Sequence, residues 1–137
     1  MKINKGIFYF LIFILFLACN KQKGKSKPKE PITKIAFGSC AWEKSELPIF
    51  NKVVEHKPDL FIFLGDNIYG DTNNMDTLRA KYKRLGNKPS YQNLKKNTPI
   101  IATWDDHDFG WNDAGKEYPF KEESKDIFMD FFNEPDS

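Results

Sequence analysis

The chain has 137 residues and a formal net charge of +2, a length that holds one folded domain at most. The charge is divided: residues 1–34 hold eight lysines and one acid, whereas residues 35–137 hold thirteen Lys/Arg and eighteen Asp/Glu, net −5. That acidic balance argues against nucleic acid as a partner bound through phosphate contacts.

Lys2 and Lys5 precede Ile7–Ala18, an unbroken apolar run of twelve, and Cys19 follows. A basic start, a short apolar core and a small residue make the plan of a secretory signal. Twelve helical residues rise only about 18 Å, short of the ~30 Å of bilayer hydrocarbon. Phe16-Leu17-Ala18-Cys19 resembles a bacterial lipobox. The expectation is a signal peptide over 1–18, lipidation at Cys19, and an exported protein lipid-anchored to a membrane of the bacterial cell envelope. Residues 19–33, with Lys21, Lys23, Lys25, Lys27 and Lys29, then form a basic linker that has too little apolar surface to fold. A lipidated Cys19 leaves Cys40 with no disulfide partner. Cys40 is then a small buried hydrophobe or a metal ligand.

From residue 34 the pattern is α/β. Ile35–Ser39 reads as a strand with a tight exit at Gly38. Ser45 is placed to cap a helix through about His56, with Leu47, Phe50, Val53 and Val54 at helical spacing. His56 falls at the helix end, a position that suits the helix dipole rather than a ligand. Leu60–Leu64 is a continuous apolar run, which suggests a parallel strand covered on both faces. The three elements make a βαβ unit. Gly70–Asn74 is loop by composition, a helix follows over Met75–Leu85, and Ser90 is placed to cap a short helix through Asn97. Ile100–Trp104 is the third strand, Gly110–Pro119 a loop, and Lys121–Asn133 an amphipathic helix whose Ile127, Phe128, Phe131 and Phe132 need a core.

Cys40, Asp66 and the run Asp105-Asp106-His107-Asp108 each lie just past a predicted strand. In a layered sheet these ends share one edge, where sites collect. Carboxylates packed together repel unless a cation or proton is among them. Thiolate, carboxylate and phenolate oxygen could hold iron, zinc, manganese or calcium. Cys40 favours a softer metal, or ferric iron paired with Tyr69; carboxylates alone favour calcium or magnesium.

Gly38-Ser39-Cys40, Gly65-Asp66-Asn67-Ile68-Tyr69 and Trp104-Asp105-Asp106-His107-Asp108 together resemble the alkaline phosphatase D (PhoD-like) family of the calcineurin-like metallophosphatase superfamily. The resemblance implies an α/β/β/α sandwich, of which this chain carries the N-terminal half, and a dinuclear centre of iron with calcium. Zinc, manganese and magnesium are the alternatives. Carried over by position, Asp66 would bridge the metals, and Cys40 and Tyr69 would complete the iron side. Asp106 would be a further ligand. His107 would contact the phosphate or protonate the leaving group, oriented by Asp108. Asp105 would support the site, and Asn67 would be a loop residue near the phosphate of the substrate.

The resemblance also implies histidine and aspartate ligands from a second half. The domain over 34–137 is therefore expected to be truncated at its C-terminus and completed by a missing half or a second chain, with weak or no catalysis alone. The reaction implied is metal-dependent hydrolysis of a phosphate mono- or diester. The rival expectation is a non-catalytic envelope lipoprotein that uses the fold remnant for binding.

Overall fold

The computed structural model describes residues 31–133; the expected signal peptide, Cys19 and most of the basic linker lie outside them. Three strands form one parallel sheet in the order β1-β2-β3: β1 is Ile35–Gly38, β2 Leu60–Leu64 and β3 Ile100–Thr103. The register pairs Ala36 with Phe61 and Phe61 with Ile100. Helix α1 (Ile49–Glu55) joins β1 to β2, and α2 (Met75–Gly86) with α3 (Pro89–Asn97) joins β2 to β3. A short α4 (Asp106–Phe109) follows β3, and α5 (Lys121–Phe132) comes last.

Each crossover steps in the same direction along the sheet. Right-handed crossovers of that order lay their helices on a single face. The core records this: Phe61 and Phe63 are buried with Phe50 of α1, Leu78, Tyr82 and Leu85 of α2, Tyr91 and Leu94 of α3, and Ile127 and Phe128 of α5. Ala36, Ile100 and Ala102 share that side. Alternate residues point the other way. Ile35, Phe37, Leu64 and Ile101 are accordingly exposed. The expectation that Leu60–Leu64 is covered on both faces is thus corrected for the described residues, because a run of leucine, phenylalanine and isoleucine does not say which side carries the helices.

Helix starts also differ from the sequence reading. Ser45 closes a turn on the Trp42 carbonyl instead of capping, and α1 begins after Pro48. Ser90 donates to the carbonyl of Glu46; Pro89 opens α3, where its missing N–H costs nothing. Asn74 caps α2 by accepting from the Thr77 N–H at 2.9 Å.

Replacing Leu78, which is fully buried, with alanine should cost ~2–5 kcal/mol in urea unfolding. Ile101→Ala on the open face should cost less than about 1 kcal/mol.

Candidate metal centre

Two strand ends are welded together before any side chain acts. Past β1, the Cys40 N–H donates to the Gly65 carbonyl and the Ala41 N–H to the Asp66 carbonyl. Cys40 and Asp66 both take left-handed backbone angles, φ 59° and 50°, a conformation that costs non-glycine residues energy and recurs at functional sites. Gly65, at φ +99°, cannot be replaced cheaply: a Cβ there would meet the Asp105 Cβ at 2.7 Å. That close approach brings the loop after β3 against the loop after β2.

A buried carboxylate locks the two loops. Asp108 accepts from the backbone N–H groups of Asn67, Ile68 and Asp105, from the Asn67 amide, and from the Tyr82 hydroxyl at 2.9 Å. Its link to the Asp105 backbone also completes a capping box at the start of α4. Burial pushes its carboxyl up to about 6, against the pull of the N–H and O–H donors around it. Asp108 therefore does not orient His107. The expectation failed because the two are adjacent in one helical turn, and adjacent helical side chains do not face each other.

His107 instead pairs through Nδ1 with Asp71 at 2.8 Å. The loop that carries Asp71 is held by the Gly70 N–H on the His107 carbonyl. A Cβ on Gly70 would run into that same carbonyl. Burial draws the His107 pKa down. The hydrogen bond and charge of Asp71, with the charges of Asp66 and Asp106, more than offset this and leave it raised. Asp71 had no signal in the sequence, since it lies in a loop 36 residues from its partner.

Asp66, Asp106 and His107 each place one potential ligand atom within 4.8 Å of the others. Cys40 is exposed rather than buried, and its Sγ lies 3.7 Å from Asp66 Oδ2. The Tyr69 phenol is pushed up to about 12, first by its hydrogen bond with Cys40, then by burial and by the charges of Cys40 and Asp66. Its ring packs 4.5 Å from that of His107. Asp106 has its carboxyl held down chiefly by the N–H of Asp113, so it stays charged. Cys40, Asp66, Tyr69, Asp106 and His107 are thus brought together. Asn67 is not: it is fully buried, and its amide donates to the Thr103 carbonyl and to Asp108. The expected role near the phosphate is corrected to that of an internal tie. Next to Asp106 an open hollow of 310 Å³ is lined by Trp104, Asp105, Phe109 and Lys116.

One atom tests whether these residues suit a metal. Asp66 Oδ1 is buried and has no hydrogen-bond partner among the described residues. A buried carboxylate oxygen without a donor is costly, and a cation beside it removes that cost. The donor set of thiol, phenol, carboxylates and imidazole is also one that metals bind. The residues fit.

Residues 35–128 match the family of PhoD-like phosphatases. The chain belongs to that family. No curated protein matches it. Membership suggests phosphatase function and implies metal dependence, and the α/β architecture with its parallel sheet agrees with the fold the sequence resemblance implied.

Two outcomes follow. Asp108→Asn places an N–H₂ group against backbone N–H donors and should destabilise the chain by roughly 1–3 kcal/mol in urea unfolding. Asp71→Asn should lower the His107 pKa, measured by NMR titration of the metal-free protein. Because that pKa is raised in the folded state, the His107–Asp71 pair stabilises fully below pH 6.5, the ordinary histidine value, and its contribution is lost as pH rises through the raised value. Asp71→Asn should remove that pH dependence.

Proposed function

We propose that the chain is a metal-dependent phosphoric-ester hydrolase, acting on phosphate mono- or diesters, whose ions lie at the carboxyl ends of the three strands. The observation that carries this is Asp66 Oδ1, which has no partner among the described residues and belongs to a cluster with Cys40, Tyr69, Asp106 and His107. The family match supports the reaction class.

Asp66 is the shared ligand in this reading. Cys40 and Tyr69 suit iron, and the carboxylate of Asp106 suits calcium. Ions held by these residues would supply polarisation of phosphoryl oxygens and a lowered pKa of bound water. The chain's own residues do the rest. Asp71 fixes His107 by Nδ1 and favours its protonated form, so His107 can give a proton to the leaving oxygen at Nε2. The Asp113 N–H keeps Asp106 charged and oriented. Lys116, at the edge of the hollow beside Asp106, offers a cation to the ester. The protein acts outside the cytoplasm, anchored by lipid at Cys19; the basic, apolar and cysteine pattern of its first residues supports this. No described helix is long and apolar enough to cross a membrane.

Calorimetry should find two ions bound per chain when iron and calcium are supplied, and Asp66→Asn should abolish both. With those ions, hydrolysis of p-nitrophenyl phosphate or its bis-ester should fall by about 10²–10⁴ in His107→Asn. Turnover that is indifferent to metal removal would contradict the reading.

A further inference from the structure

The backbone of Tyr69 is held at its N–H and at its carbonyl by opposite charges. Its N–H donates to Glu43 Oε2 at 3.3 Å. Its carbonyl accepts from Lys81 Nζ at 2.7 Å, and the same ammonium reaches the Gly70 carbonyl at 2.6 Å. Glu43 is fully buried. Its other oxygen meets Arg84, half of whose side chain is exposed, at 3.4 Å. Lys81 and Arg84 lie three residues apart on α2, so they occupy one face of that helix.

A carboxylate is an expensive choice for a position with no exposure. An apolar side chain of similar volume is often as good for stability, or better. The placement explains the choice. Glu43 lies three residues after Cys40, and Tyr69 three residues after Asp66. The hydrogen bond from Tyr69 to Glu43 therefore adds, close to the phenol, a further tie between the two loops that carry the thiol and the phenol. Lys81 then ties the carbonyl of the same residue to α2. Gly70 follows Tyr69 and would otherwise leave the Tyr69–Gly70 peptide free to turn.

We propose that Glu43 and Lys81 form a clamp that positions the Tyr69 phenol against Cys40 and Asp66, and so sets the metal affinity of that side of the site. The affinity half of this rests on the metal-centre reading above; the geometric half does not. Residues that orient ligands typically change metal affinity by about 10- to 100-fold when replaced.

The test uses the full chain and ferric iron alone. Iron bound to a phenolate gives a visible charge-transfer band, and Tyr69→Phe identifies it. Glu43→Leu removes the acceptor but fills the space, whereas Glu43→Gln keeps an acceptor oxygen. Lys81→Met breaks the clamp from the other side. Glu43→Leu and Lys81→Met should each weaken the band and lower iron affinity about 10- to 100-fold, with partial rescue in Glu43→Gln. In the metal-free chain, alkylation of Cys40 by iodoacetamide, followed on its peptide by mass spectrometry, should quicken several-fold in the same two variants. Where Glu43→Leu fails to fold by circular dichroism, Lys81→Met decides. A wild-type band and wild-type alkylation in Lys81→Met overturn the clamp, whatever its effect on stability. Absence of any band in the wild type, with faster alkylation in the variants, upholds the clamp and rejects the metal centre.

Discussion

Everything around the site depends on the buried Asp108 carboxylate. Five donors converge on it from three places: the loop after β2, the loop after β3 and helix α2. The Asn67 amide also reaches the Thr103 carbonyl, but a buried N–H without an acceptor is costly, and Asp108 supplies that acceptor for the Asn67, Ile68 and Asp105 backbone. The carboxylate therefore fixes where Asn67 and Ile68 run, and with them Asp66 on one flank and Tyr69 on the other. It also fixes where α4 starts, which sets Asp106 and His107. A group that looks like chemistry in the sequence is here the joint on which the chemistry is mounted.

The second constraint is the repulsion of like charges. Asp66, Asp71 and Asp106 all lie near one strand edge, and such a cluster is stable only when something positive or donating is set among the oxygens. Asp71 has His107, and Asp106 has the Asp113 N–H. Asp66 is different: one of its oxygens is buried without a partner among the described residues. The left-handed backbone at Asp66 and Cys40 adds local cost to the same spot. Two costs at one position, in a chain of the PhoD-like phosphatase family, are what a metal would relieve.

Much of this was legible in the sequence, and the failures have physical reasons. Apolar runs gave the three strands, and a carboxylate after each of two runs gave Asp66 and Asp106, because in a parallel sheet strand ends share an edge. The loop composition of Gly70–Asn74 placed the start of α2. What the sequence could not show were contacts between distant loops. Asp71 reaches His107 across 36 residues, and Glu43 reaches Tyr69 across 26. Asp108 was misread because proximity in sequence was taken for proximity of side chains. Asn67 was misread because nothing in its neighbours says that the turn after Asp66 points it inward. The open sheet face was hidden by a run that is apolar on both sides, with Ile35, Phe37, Leu64 and Ile101 on the exposed one.

The measurement that tests the account most directly is anomalous diffraction from crystals of the iron-loaded protein. The account predicts an iron ion bonded to Asp66, with Cys40 and Tyr69 completing its protein ligands on that side. Iron found away from Asp66, or an ordered Asp66 carboxylate with no ion at all in iron-saturated crystals, would contradict it.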